Sequence, residues 1–140
     1  EKITGKEITS SRQHFLKIKL PESYHQLIEA GITDDYSMGY ASHTGFRAGT
    51  CSSFPAFDPL LNKELPLIIH PFEFMDSAFS DYMKIMPKEY IKFVRPLVSS
   101  VKQVEGTLSG IWHNYALSDD EARHKAFKEI LKEATHDQAP

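Results

Sequence analysis

The sequence predicts one α/β domain with mostly parallel strands and helices outside the sheet. Apolar runs of strand type alternate along the chain with amphipathic helical segments, which is the order expected for a parallel sheet covered by helices. The chain has 140 residues, 41% of them hydrophobic, and is long enough to bury the core of a single domain spanning residues 1–140. Only three or four strands are predicted, too few to close a barrel, so the domain is expected to form part of one.

The strands are predicted from short apolar runs. Residues 8–20 contain a short strand or strand-to-loop segment, Leu65–Ile69 is a compact apolar run typical of a buried strand, and residues 107–112 form another short strand. Residues 31–63 lack sustained periodicity and are expected to form strand fragments joined by long loops. Such loops in compact domains often carry function.

The helices are predicted from amphipathic spacing and from start and stop signals. Pro21 opens a short helix that ends near Ala30. A second helix begins at Pro87, and Pro96 is expected to kink or split it because its ring clashes with the preceding turn. Ser118 to Glu121 has the pattern of a capping box that starts the last helix.

Composition excludes several classes of partner. The formal charge is −3 with no basic block, so neither nucleic acid nor an anionic membrane is expected to bind. No apolar run reaches the roughly 18 residues of a membrane span. Cys51 is the only cysteine, which excludes an internal disulfide and favours a reducing, cytoplasmic location. An incomplete sheet would expose strand edges, so a homo-oligomer is expected.

His113 is a candidate proton donor. It follows a strand that ends at Trp112, and in parallel α/β folds catalytic groups lie where strands end and loops begin. An imidazole there can protonate a leaving group near neutral pH. The alternative is a structural histidine that caps the strand or bonds to Asn114.

Two carboxylates are further candidates. Asp35, next to Asp34, lies in a polar loop, where it either orients an arginine or histidine or makes turn hydrogen bonds. Asp76 enters an apolar run and is therefore expected to be paired, in a site or in a structural pair.

Two arginines lie among small or apolar residues. Arg12 and Arg47 each carry a guanidinium fork suited to holding a carboxylate, and glycines flank residues 46–48, which allows a close approach to a ligand. A buried structural salt bridge explains either arginine equally well. The histidines show no compact ligand spacing of the His-x-x-x-His kind, so the residues alone indicate a metal only weakly.

The chain resembles the polysaccharide deacetylases, specifically a divergent branch of the relatives of carbohydrate esterase family 4. The similarity runs from about residue 8 to residue 134. Its segments, in order, are SRQHFL at 11–16, GITDDYSMGY at 31–40, GFRAGT at 45–50, LPLIIHPFEFMD at 65–76 and LSGIWHN at 108–114.

The resemblance implies a distorted (β/α) barrel that removes acetyl groups from N-acetylated sugars with a bound divalent metal, usually zinc. By position, His113 is similar to the family histidine that protonates the departing amine, and Asp76 to an aspartate that positions it. Arg12 resembles the arginine that orients the catalytic aspartate. Asp35 resembles a carboxylate that follows the next helix, and Arg47 belongs to the branch's own loop.

The chain departs from the family where the metal binds. Members carry an Asp-Asp pair on their first strand and then a His-x-x-x-His pair, and nothing before Arg12 supplies either. His14 stands where the family often has proline and is a candidate ligand in this branch. We therefore expect the C-terminal portion of a deacetylase domain, inactive alone, whose partner is the N-terminal half or a second chain.

A non-catalytic glycan-binding or assembly module is the alternative. The missing metal carboxylates favour it, together with aromatic side chains that could stack on sugar faces. The two predicted to contact substrate are Phe46 and Trp112, with Phe54 and Phe57 as further candidates. Each of these is also a normal core residue.

Overall fold

The computed structural model describes residue 3, residues 5–118 and residues 120–135. Four strands form one sheet in the order β1 (Ser10–Ser11), β2 (Asp34–Asp35), β4 (Lys63–Ile69) and β3 (Phe54–Asp58). Strand β4 is parallel to β2 and antiparallel to β3. The predicted α/β class is therefore confirmed, and the described residues form no closed barrel.

A second, two-stranded sheet continues the parallel arrangement. Strand β5 (Phe74–Met75) pairs with β6 (Gly110–Ile111), in the register Phe74 with Gly110 and Met75 with Ile111. Strand β1 pairs with β2 in parallel as well. Because β1, β2, β4, β5 and β6 all run in parallel pairs, the residues that follow each strand are expected on a shared edge.

The helices begin and end close to their predicted bounds. They are α1 (Glu22–Glu29), α2 (Tyr90–Gln103), a single turn α3 (Tyr115–Ser118) and α4 (Glu121–Thr135). Pro96 does not split α2, which continues through it, so the expectation of a split was wrong, whereas a kink stays a prediction. None of the helices in the described residues is long and apolar enough to cross a membrane.

The start of α4 differs from the predicted capping box. The backbone N–H of Arg123 donates to Asp120 Oδ1 at 3.0 Å, so Asp120 caps the helix. The side chain of Ser118 and all of Asp119 lie outside the described residues.

Strand β4 is buried on one face only. Leu65, Leu67 and Ile69 pack with α1 residues in one core cluster, whereas Pro66 and Ile68 between them are exposed. The apolar run predicted a buried strand, and the structure buries the face that packs against α1 and leaves the other face exposed. A second cluster joins α2 and α4 to β5, and a third lies beneath the carboxyl ends of β5 and β6.

Two glycines allow aromatic rings to lie directly on the backbone. A Cβ at Gly110 would lie 2.2 Å from Cζ of Phe74, its cross-strand neighbour, and a Cβ at Gly39 would lie 2.2 Å from Cζ of Phe72. Real Cβ atoms do not approach so closely, so both positions require glycine for the observed packing. The Gly110 contact fixes β6 against the core just before His113.

One histidine–aspartate pair lies at the amino end of β4. Asp58 pairs in register with Lys63, the first residue of that strand. Its buried carboxylate binds His25 Nε2 at 2.6 Å and accepts the N–H groups of Leu60 and Leu61 at 2.7 and 3.0 Å. This pair ties α1 to the β3–β4 hairpin.

Asp58→Ala is expected to lower the free energy of unfolding by about 2 kcal/mol at pH 7, because three donors lose their acceptor. The hydrogen bond from His25, followed by those from Leu61 and Leu60, holds the pKa of Asp58 below its ordinary value. The stabilisation is thus present above the ordinary pKa and is lost as pH falls through the lowered one. Urea unfolding at pH 7 and in acid measures both effects. Glu64→Ala, which removes an exposed carboxylate of the same hairpin, is the control, and equal stability of the two variants would contradict the prediction.

Candidate functional site

A pocket of about 460 Å³ opens where β1, β5 and β6 end. Arg12 follows β1, Ser77 lies just after β5, and Trp112 and His113 follow β6; all four line the pocket. Parallel α/β folds place reactive groups at this edge of a sheet because the loops there converge. The structure thus brings together Arg12, His14, Trp112 and His113 of the predicted site residues.

His113 is held by Asp76, the residue that follows β5. Asp76 Oδ1 lies 2.6 Å from His113 Nδ1, and Asp76 Oδ2 accepts the His113 backbone N–H at 3.1 Å. An ionised carboxylate only accepts, so Nδ1 carries the proton and Nε2 is left for the pocket. The Asp76 side chain is 1% exposed and that of His113 is 40% exposed. A buried carboxylate behind an accessible imidazole is an arrangement suited to proton transfer.

Asp35 lies outside the pocket. Its fully buried carboxylate accepts the Ser37 backbone N–H at 3.1 Å and the Ser37 hydroxyl at 2.7 Å. The Ser37 hydroxyl in turn accepts the Gln13 backbone N–H at 2.9 Å. Asp35 therefore supports the loop after β1 and does not line the pocket itself.

The two predicted arginines occupy different settings. Arg12 lines the pocket and donates from Nε to the carbonyl oxygen of Tyr36 at 3.1 Å. Arg47 lies outside the pocket lining and donates from Nη1 to the carbonyl of Gly39 at 3.0 Å. Arg47 therefore holds the loop between β2 and β3.

The aromatic residues predicted to contact substrate also separate. Phe46 packs against the core between α2 and α4 and does not line the pocket. Trp112 lines the pocket, while its ring contacts Phe127 at 5.0 Å between centroids and the edge of Tyr90 at 6.2 Å. Trp112 is thus partly a core residue and partly a wall of the pocket.

Three exposed aromatic side chains at the pocket were not predicted. Phe15, Tyr82 and Tyr115 line it and are 69%, 56% and 49% exposed. The Tyr115 ring stacks on the His113 imidazole with 5.2 Å between centroids. Burial, followed by the charges of Asp76 and Asp81, raises the pKa of Tyr115. We name Phe15, Tyr82 and Tyr115 the aromatic rim. The sequence did contain a local signal for two of them, because Phe15 stands three residues after Arg12 and Tyr115 stands two residues after His113.

The backbone under the aromatic rim is strained. Phe15 and Leu16 have φ values of 55° and 54°, in the left-handed region that residues with a Cβ rarely adopt. Leu16 is buried in the cluster beneath the pocket, and this contact holds the turn while the Phe15 ring faces outwards. Backbone strain of this kind clusters at functional sites, although Asn62, Lys84 and Glu105 also have positive φ values outside the pocket lining.

His14 lines the same pocket, with its ring 4.2 Å from that of Phe15. Within residues 3, 5–118 and 120–135, no three His, Cys, Asp or Glu side chains come together in a group that could hold a metal ion. The described residues therefore do not fit a complete metal site, and His14 is placed only as one potential ligand.

Glu73 is a buried acid beside the pocket strands. Its Oε2 accepts the Ser109 backbone N–H at 2.7 Å, and its Oε1 has no hydrogen-bond partner in the described structure. Burial raises the pKa of Glu73 to about 7, against the lowering effect of the Ser109 hydrogen bond. Its carbonyl oxygen also accepts the Gly45 N–H at 2.7 Å, so Glu73 joins the loop before β3 to the strand that carries His113.

A larger groove of about 1140 Å³ lies between α2 and α4. Its described lining contains neither a histidine nor an aromatic residue, and Arg95 there binds Glu133 through two hydrogen bonds of 3.0 and 3.1 Å. The smaller pocket is the better candidate because it alone of these two contains a paired, partly exposed histidine.

No family model matches this chain, and no match is found among curated proteins or solved structures.

Proposed function

We propose that this chain supplies the acid-bearing part of a metal-dependent hydrolase that removes acetyl groups from N-acetylated sugars or polysaccharides. One observation carries the proposal: His113, oriented by buried Asp76 at 2.6 Å, faces a pocket at the carboxyl ends of parallel strands. Amide cleavage requires protonation of the departing amine, because an amide anion is too basic to leave. In the imidazolium form both ring nitrogens carry a proton, and His113 Nε2 would then supply the proton to the departing amine while Asp76 holds Nδ1–H.

We also propose that the complete domain is a distorted (β/α) barrel that binds a divalent metal. The pairing of β1, β2 and β4, with β5 and β6 in parallel beside them, is compatible with part of a distorted (β/α) barrel. Since the described residues gather no metal cluster, the zinc ligands of the family would come from another segment or a second chain, with His14 at the pocket to join them.

The aromatic rim supports a carbohydrate substrate. Sugar rings present apolar C–H faces and polar edges, and exposed aromatic side chains around a polar pocket suit both. The rim replaces Phe46 in this role, since Phe46 lies away from the pocket. Arg12 and Asp81 line the same pocket and can hydrogen-bond sugar hydroxyl groups.

A titration of the 140-residue chain with an N-acetylglucosamine oligomer, followed by NMR, tests this substrate assignment. We expect shifts at Trp112, His113 and the rim, and a dissociation constant about 3- to 10-fold higher in Phe15→Ala or Tyr82→Ala. Phe57→Ala is the matched control, because Phe57 is an exposed aromatic of β3 outside the pocket. Equal weakening by Phe57→Ala, or shifts away from the pocket, would argue against the rim.

A glycan-binding module without catalysis is the second candidate. The exposed rim together with the lack of a metal cluster in the described residues favours it. Binding of the oligomer with no acetate release from the zinc-supplemented complete protein would support this candidate over the hydrolase.

A further inference from the structure

A second arrangement of polar side chains spans β2, β3 and β4. Asp34 lies on β2, Ser53 directly precedes β3, and His70 directly follows β4. The strand register brings the three together, since Asp34 pairs with Ile68 and Phe54 pairs with Ile69. None of the three lines the pocket that contains His113.

These residues form a continuous hydrogen-bonded relay. Ser53 Oγ lies 2.8 Å from His70 Nδ1, and His70 Nε2 lies 2.7 Å from Asp34 Oδ1. Because the carboxylate only accepts, Nε2 carries the imidazole proton, Nδ1 accepts, and the Ser53 hydroxyl donates to it. We name Ser53, His70 and Asp34 the serine relay.

Neighbouring groups fix the relay in place. The Tyr36 ring stacks on the His70 imidazole with 4.4 Å between centroids and 9° between planes. The Thr33 hydroxyl donates to Asp34 Oδ2 at 2.7 Å. That hydrogen bond and the one to His70 keep the pKa of Asp34 below its ordinary value, so the carboxylate stays ionised at neutral pH.

We propose that the serine relay makes Ser53 a nucleophile toward activated carboxylic esters, a second reactivity separate from the proposed deacetylase site. The arrangement meets the requirement for an activated serine: a base within hydrogen-bond reach and a third group that orients the base. The imidazole is turned so that Nδ1 rather than Nε2 faces the serine, and either nitrogen can accept the proton. Ser53 is exposed, so an ester with a small acyl group reaches it.

The reaction proceeds in two balanced steps. Ser53 Oγ attacks the ester carbonyl carbon and its proton passes to His70 Nδ1; the bond to the leaving oxygen breaks, and the phenol or alcohol departs with that proton. Water then attacks the acyl-serine, releasing the carboxylic acid and restoring the serine. Aryl esters suit the site best because their leaving groups are weakly basic.

A second serine–histidine pair in the chain, Ser42 and His43, serves as a comparison for Ser53 and His70. Ser42 Oγ lies 3.0 Å from His43 Nδ1, and Tyr40 stacks on His43 at 3.9 Å, but within the described residues no carboxylate bonds the other nitrogen of His43. The two serines therefore differ chiefly in the aspartate behind the histidine. If the relay is reactive, Ser53 should react and Ser42 should not.

The test is to incubate the 140-residue chain with 4-nitrophenyl acetate and, separately, with a fluorophosphonate, and to locate the adduct by peptide mass spectrometry. We expect one adduct, at Ser53, which is lost in Ser53→Ala and forms at least about 100-fold more slowly in Asp34→Asn. Ser42→Ala should leave labelling unchanged. Thermal unfolding of each variant separates lost reactivity from lost structure.

Two results would overturn the proposal: no adduct at Ser53 in a folded wild-type chain, or labelling of Ser53 no faster than that of Ser42. Neither result bears on the deacetylase, because the labelling assay uses no residue of the His113 pocket and no metal.

Discussion

His113→Ala is expected to lower kcat for acetate release from an N-acetylated oligosaccharide by about 10²- to 10⁴-fold in the complete, zinc-supplemented protein. The variant lacks the imidazole that Asp76 orients at the pocket, and with it the proposed proton donor. Substrate affinity should change little, because the aromatic rim remains.

Asp76→Asn should give a loss of similar size although it keeps the shape of the side chain. Asp76 accepts two donors from His113, the backbone N–H at 3.1 Å and Nδ1–H at 2.6 Å, and an amide presents only one acceptor atom. The imidazole would therefore turn or change tautomer and no longer present Nε2 correctly.

The matched control is His25→Ala. His25 bonds to Asp58 at the same 2.6 Å, and Asp58 is also buried, but this pair lies at the amino end of β4. It should reduce stability and leave kcat unchanged. A His113→Ala variant that keeps its kcat would show that the hydrolase proposal is wrong.

Gly110→Ala is expected to lower the free energy of unfolding by about 3 kcal/mol, the upper range for overpacking a core. The new Cβ would lie 2.2, 2.5 and 2.8 Å from three carbons of the Phe74 ring, which is buried among Phe79 and the α2 residues. The ring cannot turn away without disturbing those contacts. Urea unfolding measures the loss.

Gly49→Ala is the control for the backbone. Its φ of +72° makes alanine strained by roughly 1 kcal/mol, but a Cβ there meets nothing within 4 Å.

Combining Gly110→Ala with Phe74→Leu should cost less than the sum of the single changes, because the smaller side chain relieves the clash. Strict additivity would contradict the steric explanation.

The fold was predictable where local signals act alone. Pro21 and Gly31 bracket α1, and strand-type runs located β4 and β6. A split at Pro96 does not occur because Val94, Leu97 and Val98 are buried in the core that α2 shares with α4, and this packing holds α2 as one helix.

The candidate site could be predicted from the sequence only where local signals mark its residues. His113 and Asp76 could be anticipated, one from its position after a strand and the other from a charge entering an apolar run. The serine relay could not, since Ser53 and Asp34 are separated from His70 by 17 and 36 positions. They meet His70 only through the antiparallel pairing of β3 with β4 and the parallel pairing of β2 with β4. The exposure of Tyr82 likewise depends on tertiary packing that no local pattern encodes.

The buried carboxyl group of Glu73 makes the fold more stable in mildly acidic than in alkaline buffer. Burial raises the pKa of Glu73 to about 7, so the protonated and the ionised form of this carboxyl group coexist in a neutral buffer. Because the pKa of Glu73 is raised in the folded state, its contribution to stability is fully present below pH 4.5, the ordinary pKa of the group. This contribution is lost as pH rises through about 7. Asp58 and Asp34, with lowered pKa values, act in the opposite sense at lower pH. Mildly acidic buffers, between those two windows, are therefore where a uniform and most stable sample should be obtained.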